Sequence, residues 1–91
     1  MKRIYFQPLA GKKYLNRNGT TYFCLEPGKE ECSALFISLT SGYTLLAHEC
    51  QKNDDGTIEW NRSEGRGFKD VQQTIEKYDF DSDLIVFHTK S

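Results

Sequence analysis

Three short turn signatures punctuate residues 12–61, and they constrain the fold of this chain more than any other feature. Asn18-Gly19, Ser41-Gly42 and Asn53-Asp54-Asp55-Gly56 each separate two runs of strand-forming residues. Asn-Gly is the strongest short hairpin signal, because a type I′ turn needs positive φ at both central residues. The arm that follows it, Thr20 to Leu25, is rich in β-branched and aromatic residues, and Pro27-Gly28 ends it. Ala34 to Leu39 reads as the next strand. Tyr43 to Cys50 returns after Ser41-Gly42, and Thr57 to Asn61 returns again after Gly56. Runs joined by turns this short pair as antiparallel neighbours. A short first strand, Ile4-Tyr5-Phe6, is expected to stop at Pro8, which cannot donate to a ladder.

The strand period of two places Tyr43, Leu45 and Ala47 on one face, and Thr44, Leu46 and His48 on the other. Ile58 and Trp60 share a face and are expected to point into the core. From Phe68 the period changes. Phe68, Val71, Ile75 and Tyr78 follow helical spacing, which predicts one amphipathic helix of about ten residues, with Gly65-Arg66-Gly67 as the turn ahead of it. Asp79 to Asp83 ends the helix, and Leu84-Ile85-Val86-Phe87 reads as a closing strand. The expected fold class is α+β: a small antiparallel sheet of about five strands, a meander of hairpins, with one helix of the C-terminal half packed on one face and a final strand. Residues 1–91 are expected to form a single domain.

A chain of this length buries only about 60–65% of the surface exposed by its unfolded form, so a deep substrate cavity would remove much of its core. Aromatic residues make up 13% of the chain, which argues against disorder. No stretch approaches the roughly 20 apolar residues of a membrane-spanning helix. No apolar run of secretory type follows Met1-Lys2-Arg3. Cys24, Cys32 and Cys50 cannot all pair within one chain, and are expected as reduced thiols in a cytoplasmic protein. Net charge is −1, divided unevenly: residues 1–17 carry +5 and residues 18–91 carry −6. Each region is a candidate to steer a partner of opposite sign.

The motifs that carry chemistry are weak. His48 and Cys50 lie two apart on one expected strand and so share a face, with Cys24 in reach across the sheet. Three such N and S donors suit zinc, but no Cys-x-x-Cys or similar spacing supports it. The same Cys50 and His48 form the only candidate nucleophile and base, and no cysteine-hydrolase signature surrounds them. Asp79-x-Asp81-x-Asp83 matches the opening of a calcium loop, yet Leu84 stands where that loop requires glycine. Glu64-Gly65-Arg66-Gly67 lacks the frame of a phosphate-binding loop, although glycine-rich backbone ahead of a helix, flanked by Arg62 and Arg66, offers an anion contact.

No catalytic constellation survives, so the sequence favours a non-enzymatic protein-binding module with no cofactor, metal or membrane partner. Asp54, Asp55 and Glu64 are the acidic contact candidates, and Tyr43 is the candidate anchor, since tyrosine is enriched at binding hot spots. An accessory protein of a phage or mobile element, inhibiting a host nuclease or defence protein through an acidic face, is one form this would take. The alternative is a sheet that binds single-stranded nucleic acid. Bases would stack on Tyr14, Tyr22, Phe23, Tyr43 or Trp60, while Lys12, Lys13 and Arg17, with Arg62 and Arg66, neutralise phosphate. A monomer is expected, or a homodimer formed through an open sheet edge.

Overall fold

The computed structural model describes residues 3–78. In chain order the strands are β1 (Arg3–Tyr5), β2 (Lys13–Leu15), β3 (Thr21–Pro27), β4 (Ala34–Ser38), β5 (Tyr43–His48), β6 (Gln51–Asn53), β7 (Ile58–Glu59) and β8 (Arg62–Phe68). One helix follows, α1 (Val71–Lys77). A five-stranded sheet runs β2-β3-β4-β5-β8, and a three-stranded sheet runs β1-β6-β7. All the paired strands are antiparallel. The α+β class and the hairpin meander are therefore as expected, with a second small sheet added. The predicted acidic turn at 79–83 and closing strand at 84–87 lie outside the described residues.

The five-stranded sheet carries a core on each face. On one face Phe23, Leu25 and Ile37 pack with Ile75 of the helix, and Leu35, Leu39, Val71 and Tyr78 close around them. On the other, Cys24, Phe36, Leu45 and Ala47 meet Cys50 and Ile58 from the segments of the small sheet. Trp60 lies over this second cluster, stacked on Phe36 with ring centroids 5.4 Å apart and edge-on to Tyr22 at 5.3 Å. Ile58 and Trp60 thus point inward as their shared spacing required. The alternation of β3 and β4 feeds both clusters, while β5 adds Leu45 and Ala47 to the second, which is how so short a chain builds two layers over one sheet.

Three local features differ from the sequence expectation. The first is the turn at Asn18-Gly19. Gly19 takes φ +94°, but the only described non-glycine residues with positive φ are Cys32 and Glu49. The type I′ turn is therefore replaced by a longer loop in which only the glycine is left-handed. Asn16 N donates to Thr20 O at 2.8 Å, and Gly19 N to Asn16 O at 2.9 Å. Asn16 and Asn18 side chains accept from Asn18 N and Thr20 N, which stabilises this form locally. The β6–β7 turn repeats the pattern, with Gly56 N donating to Asn53 O at 3.0 Å and Asp55 accepting from Thr57 N.

The second is the end of β5. Glu49 takes φ +59°, which breaks the strand and carries the chain into the small sheet. The third is the stretch 62–68. It is not a turn but the seven-residue strand β8, paired with β5 from His48↔Arg62 to Tyr43↔Phe68, with a bulge at Arg66. The helix starts only after it. Asp70 is the N-cap, accepting from Gln73 N at 2.8 Å, so Phe68 belongs to the strand and not to the helix face.

Candidate functional site

β8 is the outermost strand of the larger sheet, with β5 as its one neighbour among the described residues. Every side chain from Arg62 to Phe68 is exposed. The opposite edge, β2, spans three residues and starts at Lys13. Short length and lysine are both devices that blunt an edge. β8 has neither.

Polar contacts, not a core, hold β8 in place. Thr44 Oγ1 donates to Gly67 O at 2.7 Å, and Lys69 N donates to Gly42 O at 2.9 Å just past the strand. His48, only 5% exposed, sits with Glu64 Oε2 2.7 Å from Nε2 and Glu30 Oε1 3.0 Å from Nδ1. Arg66 lies 3.3 Å from Glu64 and Arg62 lies 3.6 Å from Glu30. The hydrogen bond from His48, followed by that from Arg66, holds the Glu64 carboxyl below its ordinary value. This cluster ties the edge strand to β5 and to the loop between β3 and β4. It borders a cavity of about 430 Å³ whose walls include Leu35, Leu46 and Lys29.

On the other side of β8 stands an aromatic pair. Tyr43 and Phe68 have ring centroids 5.0 Å apart, tilted by 56°. Phe68 is 72% exposed, the most exposed large apolar side chain among the described residues. A Cβ at Gly65 would collide with the Tyr43 hydroxyl, so the glycine makes room for the ring that supports Phe68.

The residues singled out in the sequence are distributed as follows. Tyr43 joins the β8 site beside Phe68, and Glu64, Arg62 and Arg66 lie on β8 itself. Asp54 and Asp55 sit on the β6–β7 turn, where hydrogen bonds from Thr57 lower the Asp55 pKa, with a smaller contribution from the charge of Arg17. Arg17 pairs with Glu59 at 3.4 Å and its N–H donates to Ile58 O at 3.1 Å. Lys12 and Lys13 are exposed at the β2 edge. The acidic and basic sets are therefore interleaved: Asp55 stands near Arg17, and Glu64 contacts Arg66. The Gly65-Arg66-Gly67 segment is a strand and not a loop leading into a helix, so the loop geometry on which the anion contact was expected is not present there. Tyr14, Tyr22, Tyr43 and Trp60 are half-buried and pack against the core, and Phe23 is fully buried.

The expected grouping of Cys24, His48 and Cys50 does not form. The break at Glu49 leaves Cys50 in the cluster with Cys24 and Phe36, while His48 faces Glu30 and Glu64 beside Leu46. Burial, and for Cys24 the neighbouring Cys50, pushes both thiols up to about 12. Among the described residues, no group of three or more His, Cys, Asp or Glu is placed to hold a metal ion.

Sequence reasoning missed Phe68 and Glu30 as parts of a site. For Phe68 a signal was present: Asp70 three residues before Gln73 is a helix-start pattern, and it leaves 62–68 outside the helix. No protein-family model matches the chain, and neither a curated protein nor a solved structure matches it.

Proposed function

We propose that this chain is a non-enzymatic protein-binding module whose contact surface is the β8 edge with the Tyr43–Phe68 pair beside it. The observation that carries this reading is the seven-residue strand with every side chain exposed, ending in Phe68. Such an edge offers main-chain donors and acceptors to an added strand, and an exposed aromatic beside it supplies an anchor. The interleaving of opposite charges lends less support to an inhibitor that presents an acidic face to a nuclease. The packing of the sheet aromatics lends less support to base stacking.

A pull-down with the tagged chain, with and without nuclease, tests this reading against its alternative. Nuclease-resistant recovery of a protein partner is expected, with Phe68→Ala weakening it by about 2 kcal/mol or more, as at a hot-spot aromatic. Recovery that nuclease abolishes, or that Phe68→Ala leaves unchanged, overturns it.

A further inference from the structure

The order of residues along β8 fits a particular occupant. Gly65 is the middle residue of the strand, with Glu64 on one side and Arg66 on the other. Their side chains contact each other at 3.3 Å, so both project on the same side of the sheet. Antiparallel pairing of two such strands about a two-fold axis at Gly65 sets Glu64 of each copy opposite Arg66 of the other. Cross-strand pairs of opposite charge are favourable and like pairs are not.

We propose that β8 is a self-association edge, and that two copies of this chain pair β8 to β8, antiparallel about Gly65, to make one continuous sheet. The proposal rests on the assignment of β8 as the contact surface and names the partner it takes. Three features converge on it. Charge complementarity selects the register, because centring the pair on Glu64 would face Glu64 with Glu64 and Arg62 with Arg66. Centring on Ser63 would also match charges, Arg62 with Glu64, but would overlap only 62–64 of the strand. With the Gly65 centre, the bulged Arg66 together with Gly67 opposes Glu64 of the other copy, and the pairing runs from Ser63 to Phe68. Gly65 itself has no side chain to hold the two copies apart. An interface of this kind is isologous, with the same patch used twice. Charges on an edge oppose indiscriminate pairing, and their alternating order here leaves a self-complementary match open while penalising others.

Sedimentation equilibrium of the full chain over a wide concentration range, at low and high salt, tests the proposal. Reversible dimerisation that weakens with salt is expected. Arg66→Glu faces Glu64 with a second carboxylate and should raise the dimer dissociation constant at least tenfold. Glu64→Arg should do the same. A mixture of the two variants should associate again, because positions 64 and 66 of each strand then meet opposite charge. Circular dichroism identifies any variant that fails to fold, and Arg66→Glu alone, which leaves the His48–Glu64 contact in place, still decides the question. A wild-type chain that stays monomeric overturns self-association. A dimer insensitive to Arg66→Glu but weakened by Arg62→Glu overturns the register. If the chain is monomeric while Phe68-dependent capture of another protein persists, the second-copy partner fails and the protein-binding reading stands; loss of both removes both.

Discussion

Raising the pH should unfold this protein through two cysteines that never touch solvent. Cys24 and Cys50 are both 0% exposed, and burial pushes their thiols from an ordinary 9.0 to about 12. A group whose folded pKa is raised stabilises the fold below its unfolded value, and that stability is lost as pH rises through the folded value. For these thiols the window runs from about 9 to about 12. A shift of this size corresponds to at most about 4 kcal/mol per thiol, at 1.36 kcal/mol for each pKa unit. At pH 10 only the unfolded chain has ionised, so each thiol has cost about 1.4 kcal/mol and the two together about 3 kcal/mol. Their mutual repulsion in the fold does not enter below pH 10, since both remain protonated there. The assay is urea unfolding at pH 8 and pH 10 under reducing conditions. Cys24→Ala and Cys50→Ala lower stability at both values, but each should remove about 1.4 kcal/mol from the difference between them. Tyrosines raised by burial, such as Tyr14 and Tyr22, contribute to every variant and cancel. Equal pH dependence in wild type and variants would refute the reasoning. So would alkylation of either cysteine in the folded protein at the rate of a free thiol, which would also revive a nucleophilic role.

Four further outcomes are expected. Gly42→Ala should cost about 2 kcal/mol or more in urea unfolding, because Gly42 has φ +83° and a Cβ there would collide with the Lys69 carbonyl. Asp70→Ala removes the helix N-cap and should lower stability by about 1 kcal/mol, read by thermal unfolding. Ile75→Ala should cost roughly 3 kcal/mol and lower helical circular dichroism, since Ile75 is the buried helix residue against Phe23, Leu25 and Ile37. The Glu64 pKa is lowered in the fold, so its contribution is present above the ordinary 4.5 and is lost as pH falls through the lower folded value. Glu64→Gln should therefore flatten the acid limb of a stability–pH curve.

Local information was readable and non-local information was not. The Asn18-Gly19 and Asp55-Gly56 turns were legible because short side chains and left-handed glycines act within four residues. The two faces of β5 were legible because alternation is local as well. β8 was not. Its two glycines lower strand propensity, and pairing with β5 overrides that preference. The second sheet was hidden for a different reason. β1 meets β6 across more than forty residues, and the strand break that permits it is a left-handed Glu49, a conformation that no composition rule assigns to glutamate. The same break separates His48 from Cys50, so a site drawn from their two-residue spacing dissolved. The clasp that replaced it joins Glu30, His48 and Glu64, which share no sequence pattern.

The way β8 is held has a consequence for function. None of its side chains belongs to either hydrophobic cluster. Its attachment comes from backbone pairing with β5, the Thr44 hydroxyl, the Lys69–Gly42 bond and the His48 clasp. Among the described residues the buried clusters lie on the two packed faces, whereas the proposed contact surface lies on a strand that contributes to neither. Substitutions at the exposed side chains of Arg66 and Phe68 should therefore change stability by only about 0.5 kcal/mol, as surface changes usually do. Binding and folding can then be varied separately. A loss of association in those variants, with the unfolding midpoint unmoved, reports the edge itself.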